Sequence, residues 1–174
     1  MTRWFALLGR LLLFGLALAW GCGPPQAAET TLFATALDSL GGVISKTGVD
    51  LDASIRAEGT ASIRIDAEAS TTIRIAEVEP VGAEKVVLTY RARLRSRDLS
   101  GKAYLEMWCR VPGKGEFFSR GLQSPLTGTS EWVSEETPCF LEEGQRADLV
   151  KLNVVVEGTG TVWVDDVRLV SSPR

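Results

Sequence analysis

KVVLTYRARLR (residues 85–95) and KAYLEMWCRV (residues 102–111) decide the fold. Neighbouring residues of a strand point to opposite faces, so the apolar/polar pattern can be read by parity. In the first stretch Val86, Leu88, Tyr90, Ala92 and Leu94 share one side, and Thr89, Arg91, Arg93 and Arg95 the other. In the second, Ala103, Leu105, Met107, Cys109 and Val111 face a core, leaving Tyr104, Glu106, Trp108 and Arg110 outside. Both read as half-buried strands, which need a second sheet to cover the apolar side.

The same signature extends outward in both directions. Short runs rich in Val, Ile, Thr and aromatics predict further strands near 61–66, 71–78, 116–122, 131–141, 149–157 and 161–170, separated by Gly, Pro, Asp and Ser. In 149–157, Val150, Leu152, Val154 and Val156 point inward, while Lys151, Asn153 and Glu157 point outward. Residues 32–56 are less regular and suit an edge strand or a wrapping loop. Helical periodicity is scarce, so the expected class is all-β, an antiparallel sandwich or barrel. The SIR, SIRI and TIRI words near 54, 62 and 72 do not continue at a fixed period and read as strand alternation.

The chain of 174 residues begins with a different kind of segment. Arg3 and Arg10 precede LLLFGLALAW (residues 11–20), an apolar run of signal-peptide size and too short to span a bilayer. Cleavage after Ala17-Leu18-Ala19 is one reading. Cleavage before Cys22 is the other, since Ala19-Trp20-Gly21-Cys22 resembles a bacterial lipoprotein box with Ala and Trp at two unusual places. Cysteine arithmetic favours the second. Of Cys22, Cys109 and Cys139, a lipidated Cys22 leaves an even pair, expected to form a disulfide in an oxidising compartment. The expected organisation is a signal peptide over 1–21, the lipidated Cys22 with a Pro-containing tether over 22–30, and one domain over 31–174. Localisation is then exported, held on the membrane of the cell envelope by the N-terminal lipid.

Removing residues 1–21 takes Arg3 and Arg10 from 19 basic and 22 acidic residues, which leaves 17 against 22 and a formal charge of −5. That balance argues against nucleic acid as a partner. The chain has no histidine, which excludes Ser-His-Asp and Cys-His nucleophiles and histidine-ligated metals. Carboxylates remain, and Glu106 and Glu157 share an outward parity; solvated glutamates are the simpler reading, a carboxylate glycosidase the remote one.

Two outward constellations stand out. Tyr104, Trp108, Arg110 and Asn153 combine rings that stack on sugars with groups that bond hydroxyls; the alternative is that a loop within 112–130 folds over Trp108. Arg91, Arg93 and Arg95 form a stripe suited to an anionic polysaccharide or lipid headgroups, or to pairing with acids such as Glu135 or Glu136 on a neighbouring strand.

GTVWVDDVRLV (160–170) resembles the last strand of jelly-roll domains of the galactose-binding-like class, carbohydrate-binding modules among them. EGTASIRI (58–65), VVLTYRARLR (86–95) and SEWVSEETPCF (130–140) look like the early, central and Trp-led strands of that pattern. The resemblance implies a jelly-roll β-sandwich without catalytic activity that binds carbohydrate or another envelope ligand, or serves as a structural lipoprotein with an envelope protein as partner. It also implies a structural calcium at Asp166, with Asp38, Asp50 or Asp52 as the distant ligand, or else a hydrogen-bonding role for Asp165 or Asp166.

Overall fold

The computed structural model describes residues 28–79 and 82–174. Residues 1–21, the candidate lipidation site Cys22 and most of the tether lie outside the described residues. Strands follow one another as β1 (Thr30–Thr35), β2 (Val49–Asp52), β3 (Ser62–Ala67), β4 (Thr71–Val78), β5 (Val86–Val111), β6 (Gly115–Arg120), β7 (Leu126–Leu141) and β8 (Leu149–Pro173). The irregular 32–56 stretch thus contributes β2 and most of β1, joined through a single 3-10 turn at Leu40–Gly42.

The two stretches predicted as separate strands at 85–95 and 102–111 belong to one strand of 26 residues, and those at 149–157 and 161–170 to one of 25. Straight strands of that length would reach about 85 Å, against a radius of gyration of about 15 Å for a domain this size. They therefore bend, and they bend together. β5 and β8 pair antiparallel from Val86↔Pro173 to Arg110↔Leu149, with a register shift between Arg97 and Ser100. At that point Gly101 and Gly158 both adopt φ +114. A Cβ on Gly158 would sit 1.7 Å from the Ser100 carbonyl oxygen, and one on Gly101 2.0 Å from that of Glu157. Only glycine permits this approach.

The bend splits the ladder into two layers. In the first, β2 pairs β3, β3 and β1 pair the second half of β8, and the first half of β5 pairs β8 on one side and β7 on the other. In the second, β4 pairs the first half of β8, which pairs the second half of β5, which pairs β6. All pairings are antiparallel. The predicted inward rows from both layers form one core, with Leu88, Leu94, Leu105, Met107, Leu152, Val154 and Leu169 fully buried. Each such aliphatic side chain contributes about 1.5–3 kcal/mol on burial.

Cys109 and Cys139 point into this core from opposite layers and are buried free thiols, so the expected disulfide is not formed. The two thiols are close enough to influence each other's ionisation. That contact, with burial, raises the Cys109 thiol and keeps it protonated, and its hydrogen bond lowers Cys139. An even count of cysteines says nothing about how far apart two facing layers hold them.

The Asp165-Asp166 pair occupies the gap on β8 between its partners β3 and β1. Asp165 is fully buried, and its carboxylate accepts the backbone N–H groups of Ala57 (2.7 Å), Glu58 (3.0 Å) and Asp166 (2.7 Å). Asp38 accepts from Thr60 and Ala61, and Asp52 from Ser54, Ile55 and the Trp163 indole. Three separate carboxylates therefore hold the 53–61 loop by its backbone donors. Asp166 turns away in a left-handed conformation (φ +46) and pairs with Arg168 at 2.8 Å, while Asp50 pairs with Arg64. Among the described residues no three acids or cysteines gather as a metal site. The calcium implied at Asp166 does not fit these residues, and the hydrogen-bonding role falls to Asp165.

A loop held this way is sensitive to acid. Hydrogen bonds from Thr60 lower the Asp38 carboxyl, and that from Trp163 lowers Asp52 against the effect of burial. A carboxyl lowered on folding stabilises the fold fully above its ordinary value, near 3.8 for Asp, and loses that contribution as pH falls through the native value. Melting curves should thus be unchanged by chelator or added calcium near neutral pH and fall below about pH 4. Asp38→Ala should lower the melting temperature at neutral pH and flatten that acid limb. A large loss of melting temperature in chelator would contradict this arrangement.

Candidate functional site

The outer face of the second layer is built from side chains in register across its four strands. Arg74 on β4 lies opposite Asn153 on β8, Asn153 opposite Glu106 on β5, and Glu106 opposite Arg120 on β6. One row therefore reads cation, amide, anion, cation. The next places Lys151, Trp108 and Phe118 side by side. Directly opposed side chains interact most strongly, so the register dictates the contacts.

Glu106 is the centre of this face. Its Oε1 accepts the Trp108 indole N–H at 2.7 Å and the Asn153 amide at 3.0 Å, and its Oε2 accepts Arg120 Nε at 2.7 Å. The Asn153 carbonyl in turn accepts from Arg74 Nε at 3.3 Å. Glu106 is only 5 % exposed, so the expectation of a solvated glutamate fails. Burial alone would raise its carboxyl, but the bonds from Trp108, Arg120 and Asn153 outweigh that and hold it below the usual range. Hydrogen bonds to a charged group are worth about 1.5–3 kcal/mol each, enough to fix the Trp108 ring in one orientation.

Trp108 is half-buried and leans on Phe118, with ring centroids 5.2 Å apart and planes tilted by 38°. Phe118 is 57 % exposed, and the Arg120 guanidinium lies over its ring at 4.9 Å. β6 matches the strand predicted near 116–122, and in place of the alternative of a covering loop it lies beside Trp108 in the same sheet and extends the aromatic surface.

The four residues predicted for this site separate into two kinds. Trp108 and Asn153 meet at Glu106. Tyr104 shares the face but is buried, donating its hydroxyl to Glu157 at 2.8 Å; burial first, then that bond, push its ionisation up to about 12. Arg110 is exposed at the strand end, gripped by Asp148 at 2.8 and 3.2 Å, and takes no part in the cluster. Sequence reasoning missed Arg74, Phe118 and Arg120. Pro112-Gly113-Lys114-Gly115 carried the signal for the last two, because a tight hairpin there sets Val111 opposite Gly115 and hence Trp108 opposite Phe118.

No protein-family model and no curated protein matches the chain. Solved structures do. The CBM22-1 xylan-binding domain of Xyn10C from Paenibacillus barcinonensis superposes with a TM-score of 0.61 at 13 % identity, covering 85 % of this chain and 98 % of that one. The C-terminal family 22 carbohydrate-binding module of Clostridium thermocellum Xyn10B gives 0.55 at 9 % identity, covering 82 % and 93 %. A family 16 carbohydrate-binding module gives 0.53 at 10 %, covering 78 % and 94 %. The described domain of this chain is thus an all-β, antiparallel jelly-roll sandwich that shares its fold with these modules.

Proposed function

We propose that this domain is a non-catalytic glycan-binding module, and that the Trp108–Phe118 surface on the outer face of the second layer is where the glycan stacks. The observation that carries this reading is the pinning of Trp108. A half-buried ring held by a buried carboxylate, beside an exposed phenyl ring, offers a pre-oriented apolar platform for a pyranose face. Lys151 stands beside Trp108 in register and Arg120 over the Phe118 ring, as donors for hydroxyls. The fold shared with a xylan-binding domain supports the ligand class.

The same geometry speaks against a carboxylate glycosidase. Such chemistry needs one carboxyl kept protonated as general acid. Glu106 is held ionised by three donors, and bonds from Tyr104 and Lys102 lower Glu157 as well. A protein partner is the second reading. Phe117, Phe118 and Phe140 are each more than two-fifths exposed, along a groove of about 510 Å³ between the β6 and β7 edges. Co-purification of one stoichiometric envelope protein would favour it.

Xylohexaose and other neutral oligosaccharides should quench or shift tryptophan fluorescence saturably. Trp108→Ala should weaken the binding about tenfold or more and lower the melting temperature by only a few degrees, because Glu106 loses one of its three donors while the fold is kept. Unaltered affinity in Trp108→Ala would remove the platform from the account.

The module is read as exported and tethered, with Cys22 carrying the lipid after removal of residues 1–21. The support is the apolar leader, the cysteine box and the small, Pro-containing GPPQAAET segment (residues 23–30) before the sandwich. Cys22→Ala should release the protein from membranes into the soluble fraction and remove the lipid mass. Unchanged fractionation and mass would overturn the anchor.

A further inference from the structure

The arginine stripe on the outer face of the first layer resolves into three different situations. Arg91 is clasped by Glu29 through both terminal nitrogens, at 2.9 and 2.8 Å, and by Glu136 at 2.8 Å. Arg95 is bonded to Glu131, and Arg168 to Asp166. Arg93, between them, makes no hydrogen bond or ion pair with any described residue, and its Nε is buried without a partner. Its register neighbours explain the isolation. On β7 it faces Ser134, which carries no charge, and on β8 it faces Asp165, whose carboxylate is already filled by three backbone N–H groups. Glu135 is engaged elsewhere, accepting the Ser124 hydroxyl at 3.1 Å, and makes no bond to Arg93.

Arg93 is also placed in a recess. Together with Arg91, Ser134, Glu135, Glu136, Asp166 and Arg168 it lines a groove of about 510 Å³, ample for a monosaccharide unit. The Nε is closed off from solvent, whereas the two terminal nitrogens are neither buried nor bonded to any described residue and are the donors left for a ligand oxygen. The pair of terminal nitrogens matches the two oxygens of a carboxylate. The other charges of the groove narrow the ligand further. Glu136 and Asp166 present acceptors on either side of Arg93, which repel a phosphate carrying nearly two charges but receive hydroxyl donors. A single planar anion surrounded by hydroxyls fits this arrangement.

We propose that this groove is a second binding site, distinct from the Trp108 face, and that Arg93 takes the carboxylate of a sugar acid while Ser134, Glu136 and Asp166 take its hydroxyls. The choice of a sugar acid rests on the glycan-binding reading; the oxyanion site itself rests on Arg93.

The test titrates the full chain with sodium D-glucuronate, D-glucose and inorganic phosphate at equal ionic strength, following the Arg93 Nε–H resonance and binding heat. Glucuronate is expected to saturate, with glucose silent and phosphate much weaker. Arg93→Gln should weaken glucuronate about tenfold, and Arg93→Lys, which keeps the charge but loses the fork, by a similar factor. Trp108→Ala should leave glucuronate binding intact, so loss of neutral oligosaccharide binding and loss of this site are separate results. A response to phosphate equal to that for glucuronate would overturn the sugar-acid assignment. So would Arg93-dependent binding to vesicles of phosphatidylglycerol and phosphatidylcholine. No saturable response at Arg93 to any of these anions would overturn the site.

Discussion

Everything in this molecule hangs on one pairing, the antiparallel ladder between β5 and β8. These two strands supply the middle of both layers, so the same set of backbone hydrogen bonds holds each sheet together and ties one to the other. The ladder survives its own bend only because Gly101 and Gly158 face each other there without side chains. Its register then fixes what stands beside what. A slip by one residue would send every core side chain to the outside. It would also break the row of Arg74, Asn153, Glu106 and Arg120, since two of its four members lie on the ladder.

That row shows how a polar cluster can sit on a sheet face almost without solvent. Glu106 is buried among neighbours on three strands, and each of its oxygens is satisfied. A buried charge is tolerated when it is paired and hydrogen-bonded, and here the donors include the indole that the surface presents outward. The consequence is a rigid aromatic ring over a fixed charge network. Binding to such a platform costs little ordering of the protein. On the opposite layer the same kind of bookkeeping leaves Arg93 over, because Asp165 across the ladder is spent on holding the 53–61 loop. Structure and binding compete for the same carboxylates, and the loop has the first claim.

Much of the fold was legible in the residues because alternation is a local property. The inward rows of 86–94, 103–111 and 150–156 are buried as their parity predicts, whereas of the outward rows Thr89, Tyr104, Glu106 and Asn153 are buried as well. Continuity across 96–101 and 158–160 was not legible, since Ser, Asp and Gly there read as turns, and a sharp bend uses the same residues as a chain reversal. The disulfide was misjudged for a related reason: a count of thiols carries no distance. The site was half legible. Parity found Trp108 and Asn153, but their partners Phe118, Arg120 and Arg74 come from other strands, and Glu106 seemed solvated because burial by register neighbours is a property of the assembled sheet. Arg110 shares the parity of Trp108, yet Asp148, nearly forty residues away in sequence, draws it aside.

The central claim is that a glycan stacks on the ring that Glu106 holds, and the indole N–H resonances read it directly. Trp163 donates its own indole N–H to Asp52 on the other layer and serves as an internal reference. Titration with xylohexaose should move the Trp108 indole resonance progressively to saturation and leave that of Trp163 fixed. A titration in which the ligand binds while the Trp108 resonance stays still would contradict the account.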